Sequence, residues 1–141
     1  MSATLREITD ALAASVRTIP GLTVTEVKGA DPLPVAVVIP PDIQYRGTFG
    51  AGGYFGQLRY EVVVLVSQQL QNEAVRRLWE YAEPVGARSV LAAVERDKTL
   101  GGVVDDAVVL GFRKLDFEEV SGYGAWGGAF DVVIQSTKET S

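Results

Sequence analysis

The chain has 141 residues, a length that allows one folded domain with a buried core. Hydrophobic residues make up 47% of it and charged residues 22%, which are values typical of globular proteins. It contains no cysteine and no histidine, which excludes disulfides, histidine-dependent catalytic triads and the commonest zinc sites. A net charge of −5 argues against binding DNA through its phosphates. No apolar run approaches the roughly 20 residues of a membrane span, so no signal peptide or membrane anchor is predicted.

The first predicted element is an amphipathic helix over residues 5–19. Its apolar residues recur three or four positions apart, with charged residues between them. Thr4 followed by Glu7 has the spacing of a capping box, and Pro20-Gly21 is a stop signal. The sequence therefore predicts a helix that packs one face on a core.

Two short strands are predicted next, over residues 22–27 and 33–39, because both runs are rich in β-branched residues. Pro40-Pro41 is expected to end pairing, since proline cannot donate a ladder hydrogen bond. The stretch 42–56, DIQYRGTFGAGGYFG, then combines five glycines with four aromatic residues. It fits either a hairpin whose aromatics fold back on the core or an arm that packs on a neighbouring subunit.

Alternation over residues 58–67 predicts a third, central strand. Asn72 is expected to cap a helix that carries Trp79 on its apolar side and stops near Pro84, and a short helix over residues 87–94 follows.

The C-terminal third predicts three more strands, over residues 103–111, 112–120 and 126–136, with a tight turn near Gly111 joining the first two. Residues 137–141 form a polar tail. The predicted order is α-β-β-β-α-α-β-β-β. We therefore expect a single α+β domain over residues 1–136, with an antiparallel or mixed sheet covered by helices on one face.

No group of residues predicts a metal, a cofactor or catalysis. Asp105-Asp106 invites a metal site, but adjacent strand residues point to opposite faces, so the two carboxylates do not readily share one ion. The glycines of GAGGYFG are followed by a strand, not by the helix N-terminus that a phosphate cradle needs. An enzyme is therefore not expected.

Two segments carry a family resemblance: ARSVLAAVERDKTLGGVVDDAVVLG at 87–111 and YGAWGGAFDVVIQ at 123–135. They resemble the tail terminator proteins of long-tailed phages that infect actinobacteria. In those relatives a short helix ends near an acidic residue, a Thr-Leu-Gly-Gly turn and a strand with paired acids follow, and the last strand begins at an aromatic-Gly pair. The matching residues are structural turn and strand residues, namely Asp97, Thr99, Leu100, Gly101, Gly102, Asp105, Asp106, Trp126 and Gly127.

The resemblance implies a ring, usually of six copies, on the head-proximal end of the tail tube. Such a ring stops polymerisation of the tube protein and joins the tail to the head-completion proteins, while DNA passes through it without sequence-specific binding. The protein would then belong to the virion and assemble in the host cytoplasm. The candidate residues for the subunit or tube interface are Tyr45, Arg46, Phe49, Tyr54, Phe55, Arg59 and Trp126.

Two other functions stay open. Another head-tail connector, either a head-closure or a tail-completion protein, has similar size and strand content. A small-ligand binding or regulatory α+β domain would need a closed apolar pocket in place of a self-complementary edge.

Overall fold

The computed structural model describes residues 4–25, 34–45, 55–67, 71–115 and 126–135. They form an α+β fold with three helices and a five-stranded mixed sheet; the α+β class, the three helices and the mixed sheet agree with the prediction, whereas six strands were expected. The helices are α1 (Leu5–Arg17), α2 (Gln71–Ala82) and α3 (Val90–Glu95). The strands are β1 (Thr23–Thr25), β2 (Val35–Tyr45), β3 (Phe55–Ser67), β4 (Asp106–Leu115) and β5 (Trp126–Gln135).

The strand order across the sheet is β1-β2-β3-β5-β4. β1 runs parallel to β2, and every other neighbouring pair is antiparallel. Residues from all three helices share one buried cluster with one face of the sheet, as the prediction of helices on one face requires. A smaller cluster lies on the opposite face and consists of Val35, Val37, Val63, Leu65 and Ala129.

α1 confirms the predicted capping box. Thr4 Oγ1 accepts a hydrogen bond from the Glu7 N–H, and Glu7 Oε1 accepts one from the Thr4 N–H, both at 3.2 Å. Ile8 and Leu12 on the inner face of the helix are fully buried. Thr9 Oγ1 lies 2.7 Å from the Tyr60 hydroxyl, so the buried tyrosine of β3 keeps a hydrogen-bond partner in the core.

β4 corrects the prediction of two strands joined by a turn at Gly111. A single strand runs through this residue, and its register against β5 shifts between Val109 and Gly111. The extra residue is accommodated as a β-bulge, which bends a strand without ending it. The described residues therefore contain eight elements in place of the predicted nine, and residues 116–120 lie outside them.

β2 corrects the prediction that Pro40-Pro41 ends pairing. The strand continues to Tyr45, and its register against β3 shifts between Ile39 and Asp42. Both prolines fall in this irregularity, where no ladder donor is needed. Pairing then extends to Tyr45 opposite Phe55, and residues 46–54 lie outside the described residues.

The prediction for α2 was wrong in two details. The helix begins at Gln71, so Asn72 lies inside it and does not cap it. Trp79 is 60% exposed, whereas Leu78 and Tyr81 are buried. Leu78 and Tyr81 are three residues apart and therefore share the inner face of the helix, and Trp79 lies outside that face. The C-terminal residues 137–141 lie outside the described residues.

Candidate interaction surface

Among the described strands β4 lies at the edge of the sheet, with β5 as its only neighbour. It is ten residues long. An edge strand carries backbone donors and acceptors that no strand of its own sheet can use, and such edges pair with other chains unless they are covered or blunted. We therefore take the surface along Asp106–Leu115 as the candidate site and call it the β4 edge.

The bulge exposes an apolar side chain on the β4 edge. Leu110 has no partner in the register between Val109 and Gly111, and it is 62% exposed. Bulges re-aim side chains and recur next to functional surfaces. A single exposed aliphatic side chain is ordinary on a protein surface, so the interest of Leu110 comes from its place on an edge strand beside Phe112.

Phe112 adds an aromatic contact to the same edge. Its ring packs on Phe130 with centroids 4.8 Å apart and planes tilted by 50°. Gly128 makes room for it, since a Cβ atom there would overlap the Phe112 ring. Phe112 still leaves 37% of its surface exposed, so it presents a positioned aromatic surface to solvent.

α3 occupies a backbone donor in the first half of the β4 edge. Glu95 Oε2 accepts a hydrogen bond from the Val109 N–H at 2.9 Å. Glu95 also lies 3.8 Å from Lys98 Nζ, a long and partly exposed ion pair that adds little. The carboxylate therefore takes up a backbone donor that an incoming strand would otherwise use.

The predicted Thr99–Gly102 segment forms the turn that leads into β4. Asp97 organises it: Oδ1 accepts from the Thr99 N–H at 3.1 Å and from its hydroxyl at 2.7 Å, and Oδ2 accepts from the Gly101 N–H at 3.0 Å. These hydrogen bonds lower the pKa of the Asp97 carboxyl below its ordinary value, and the bond from the Thr99 hydroxyl has the largest effect. Leu100, Gly101 and Gly102 have φ angles of +50°, +75° and +87°, which explains the two glycines.

Asp105 and Asp106 connect this turn to the sheet. The Asp105 N–H donates to the Gln135 carbonyl at 2.9 Å, and Asp106 is the first residue of β4. Within the described residues no three acidic side chains come together as a metal site would need.

The sequence-predicted interface residues that the structure describes lie at different places in the sheet. Tyr45 and Phe55 pair with each other at one end of β3, whereas Trp126 pairs with Ser67 at the other end. Arg59 is exposed on β3, opposite Asp42. Arg46, Phe49 and Tyr54 lie outside the described residues.

Leu110, Phe112 and Glu95 were missed from the sequence. The run VVLGF resembles any buried strand, and only the bulge and the position of β4 at the sheet edge make its side chains available. Glu95 was missed because its acceptor role depends on the packing of α3 against β4.

Acidic side chains meet on the sheet face away from the helices. Glu61 of β3 and Asp131 of β5 are directly opposite each other, and both are half-buried. Like charges at this spacing repel. This part of the face therefore does not favour an anionic ligand.

No protein family model matches the chain, and no curated protein matches it. Among the described residues, no helix has both the length and the apolar character needed to cross a membrane.

Proposed function

We propose that the chain is a ring-forming structural subunit of a phage neck, the tail terminator that caps the head-proximal end of the tail tube. The observation that carries this proposal is the β4 edge, a ten-residue edge strand with Leu110 and Phe112 exposed beside it. The resemblance of residues 87–111 and 123–135 to tail terminators supports the same assignment.

An open sheet with two different edges suits ring assembly. When one edge of a subunit binds the other edge of the next, the contact is heterologous, and it closes into a ring if the rotation between subunits allows. Assembly requires only complementary surfaces, so the proposal needs no cofactor and no turnover.

The charge of the chain suits a conduit for DNA. The net charge is −5, an excess of acids that belongs to the chain as a whole, since the sheet face with Glu61 and Asp131 also carries Arg59 and Arg113. An acidic lumen repels phosphate and lets DNA pass without trapping it.

A small-ligand binding domain is the alternative from another class. One groove among the described residues, of about 430 Å³, lies between α1 and the proline bulge of β2 and is lined partly by Arg6, Asp10 and Pro41. Arg6 and Asp10 are exposed side chains. The groove therefore lacks the enclosed apolar lining typical of such domains.

The deciding experiment is made in the phage that encodes the chain. We expect disruption of the gene to give tails of uncontrolled length by electron microscopy, and complementation with the wild-type gene to restore one length. Normal-length tails without the protein would exclude the terminator role. Tails of normal length that fail to join heads would instead identify another head-tail connector.

A further inference from the structure

Among the described strands, the two edges of the sheet, β1 and β4, have residues in the same rows. The strand registers place Thr25, Val37, Val63, Ala129 and Arg113 in one row across the five strands. The row two residues further along begins at Thr23 and ends at Leu115. Residues 23–25 at one edge and 113–115 at the other thus occupy the same rows.

Backbone N–H donors are also missing or already occupied in matching rows of β2 and β4. In β2, Pro40-Pro41 lies in rows beyond Thr25, the last described residue of β1, and prolines have no N–H to offer a neighbouring strand. In the rows, this pair falls between Gly111 and Val108 of β4. Two β4 residues lie between those rows: Leu110, which has no partner in the register, and Val109, whose N–H donates to Glu95.

Direction and side-chain orientation agree as well. The successive pairings make β1 antiparallel to β4, which is the relation that two edges need for antiparallel pairing between copies. Thr25 and Arg113 share the face away from the helices, while Val24 packs toward the helices. Pairing in these rows therefore keeps the inner and outer faces continuous from one copy to the next.

β1 has outward backbone groups available for such pairing. The Thr23 N–H donates to the Pro34 carbonyl, on the side of β2. Adjacent residues of a strand direct their backbone groups to opposite sides, so the N–H and C=O of Val24 point away from β2.

Pairing of two β4 edges with each other is disfavoured by charge. Around a two-fold axis at residue 113, the Arg113 side chains of the two copies would lie directly opposite each other on the same face of the sheet, and like charges in that position repel. β1 consists of Thr-Val-Thr and adds no positive charge.

We propose that residues 113–115 of one copy pair antiparallel with residues 23–25 of the next copy, with Thr25 opposite Arg113. The inference rests on the proposed ring and identifies the edges that close it. Leu110 and Phe112 lie beside this pairing and contribute apolar contact area.

Cysteine cross-linking tests the pairing without background, because the chain has no cysteine. The variant carrying both Thr25→Cys and Arg113→Cys is oxidised mildly, and its products are separated on a non-reducing gel. We expect a ladder of dimers, trimers and larger species. Each single variant should stay largely uncross-linked, because a head-to-tail contact gives it only one of the two thiols.

The matched control carries Asp42→Cys and Val108→Cys, which share a row beyond Thr25, the last described residue of β1. Asp42 belongs to β2 and therefore lies one strand further from the neighbouring copy than β1 does. Thr23→Cys with Leu115→Cys repeats the test in the neighbouring row if the first pair disturbs folding.

Three results would overturn the pairing. Dimers from Arg113→Cys alone, as efficient as those of the double variant, would mean that two β4 edges meet. A ladder from the control pair would mean that the edges are shifted. Absence of cross-links in a protein that native mass spectrometry shows as a ring would place the interface elsewhere, while the terminator role would still be decided by tail length.

Discussion

At the residue scale, adjacent glycines at the start of β5 face two different neighbours. A Cβ at Gly127 would lie 2.6 Å from the Val64 carbonyl oxygen, whereas one at Gly128 would meet only the half-exposed ring of Phe112. A backbone atom in the sheet cannot move aside, but an edge ring can rotate. We expect Gly127→Ala to lower the free energy of unfolding by about 1–3 kcal/mol, and Gly128→Ala by less.

Urea unfolding followed by circular dichroism measures both changes. Gly111→Ala is the matched control, because a Cβ there meets nothing within 4 Å and its φ angle is not positive. We expect this control to stay within about 0.5 kcal/mol of the wild type. Equal losses for all three variants would contradict the packing described for β5.

Asp97 makes part of the stability dependent on pH. Because its pKa is lowered in the folded state, its contribution is present above the ordinary value of 3.8 and is lost as the pH falls through the folded-state pKa. Asp97→Asn replaces one acceptor oxygen with a donor facing the Gly101 N–H. We expect the wild type to have a higher Tm than Asp97→Asn at neutral pH, and this difference to shrink in acid. A difference independent of pH would contradict the assignment.

At the element scale, Glu95 controls how much of β4 is open to other chains. Glu95→Ala leaves the Val109 N–H without its acceptor, so we expect a loss of about 1–3 kcal/mol in unfolding free energy. We also expect stronger, less specific self-association, because more of the edge becomes available.

Sedimentation velocity and hydrogen exchange at the Val109 amide measure these two effects. Glu95→Gln keeps an acceptor oxygen and should preserve most of the protection. Lys98→Ala removes only the 3.8 Å ion pair and should change neither measurement. If hydrogen exchange at the Val109 amide is unchanged in Glu95→Ala, the Glu95 carboxylate does not protect this N–H.

The elements differ in how far the sequence predicts them. α1 has both a capping box and a clear apolar period, so local signals suffice. β4 was divided at Gly111 because glycine is a frequent turn residue, whereas pairing with β5 over nine positions holds it in a bulged strand. Trp79 was placed in the core on its apolar character, although the orientation of α2 is set by contacts distant in sequence.

The candidate surface was less predictable than the fold. Arg59 was expected at an interface and is exposed, but it lies in a central strand, away from the β4 edge. Leu110 and Phe112 become candidates only once the strand order places β4 outermost. Strand order depends on pairing between distant segments, which local sequence patterns do not encode.

At the scale of the whole molecule, the role of the glycine-rich segment 46–54 in assembly can be tested by replacing it with a short turn. β2 and β3 pair as far as Tyr45 and Phe55, so a two-residue Asn-Gly turn can close the hairpin in its place. We expect this replacement to leave the monomer folded and to impair ring formation. Native mass spectrometry with circular dichroism measures both, and unchanged assembly would show that the segment has no part in the interface.

The strand order also has a consequence for how the chain folds. β2 with β3, and β4 with β5, pair strands that follow each other in sequence, whereas the central β3–β5 pairing joins strands separated by α2, α3 and β4. Closing that long segment costs more chain entropy than forming either hairpin. We therefore expect the two hairpins to form before they join at β3 and β5, and this joining to be the slower step of folding. Gly127 lies at this seam, against Val64 and Leu65, so bulk added there would slow folding as well as weaken the sheet.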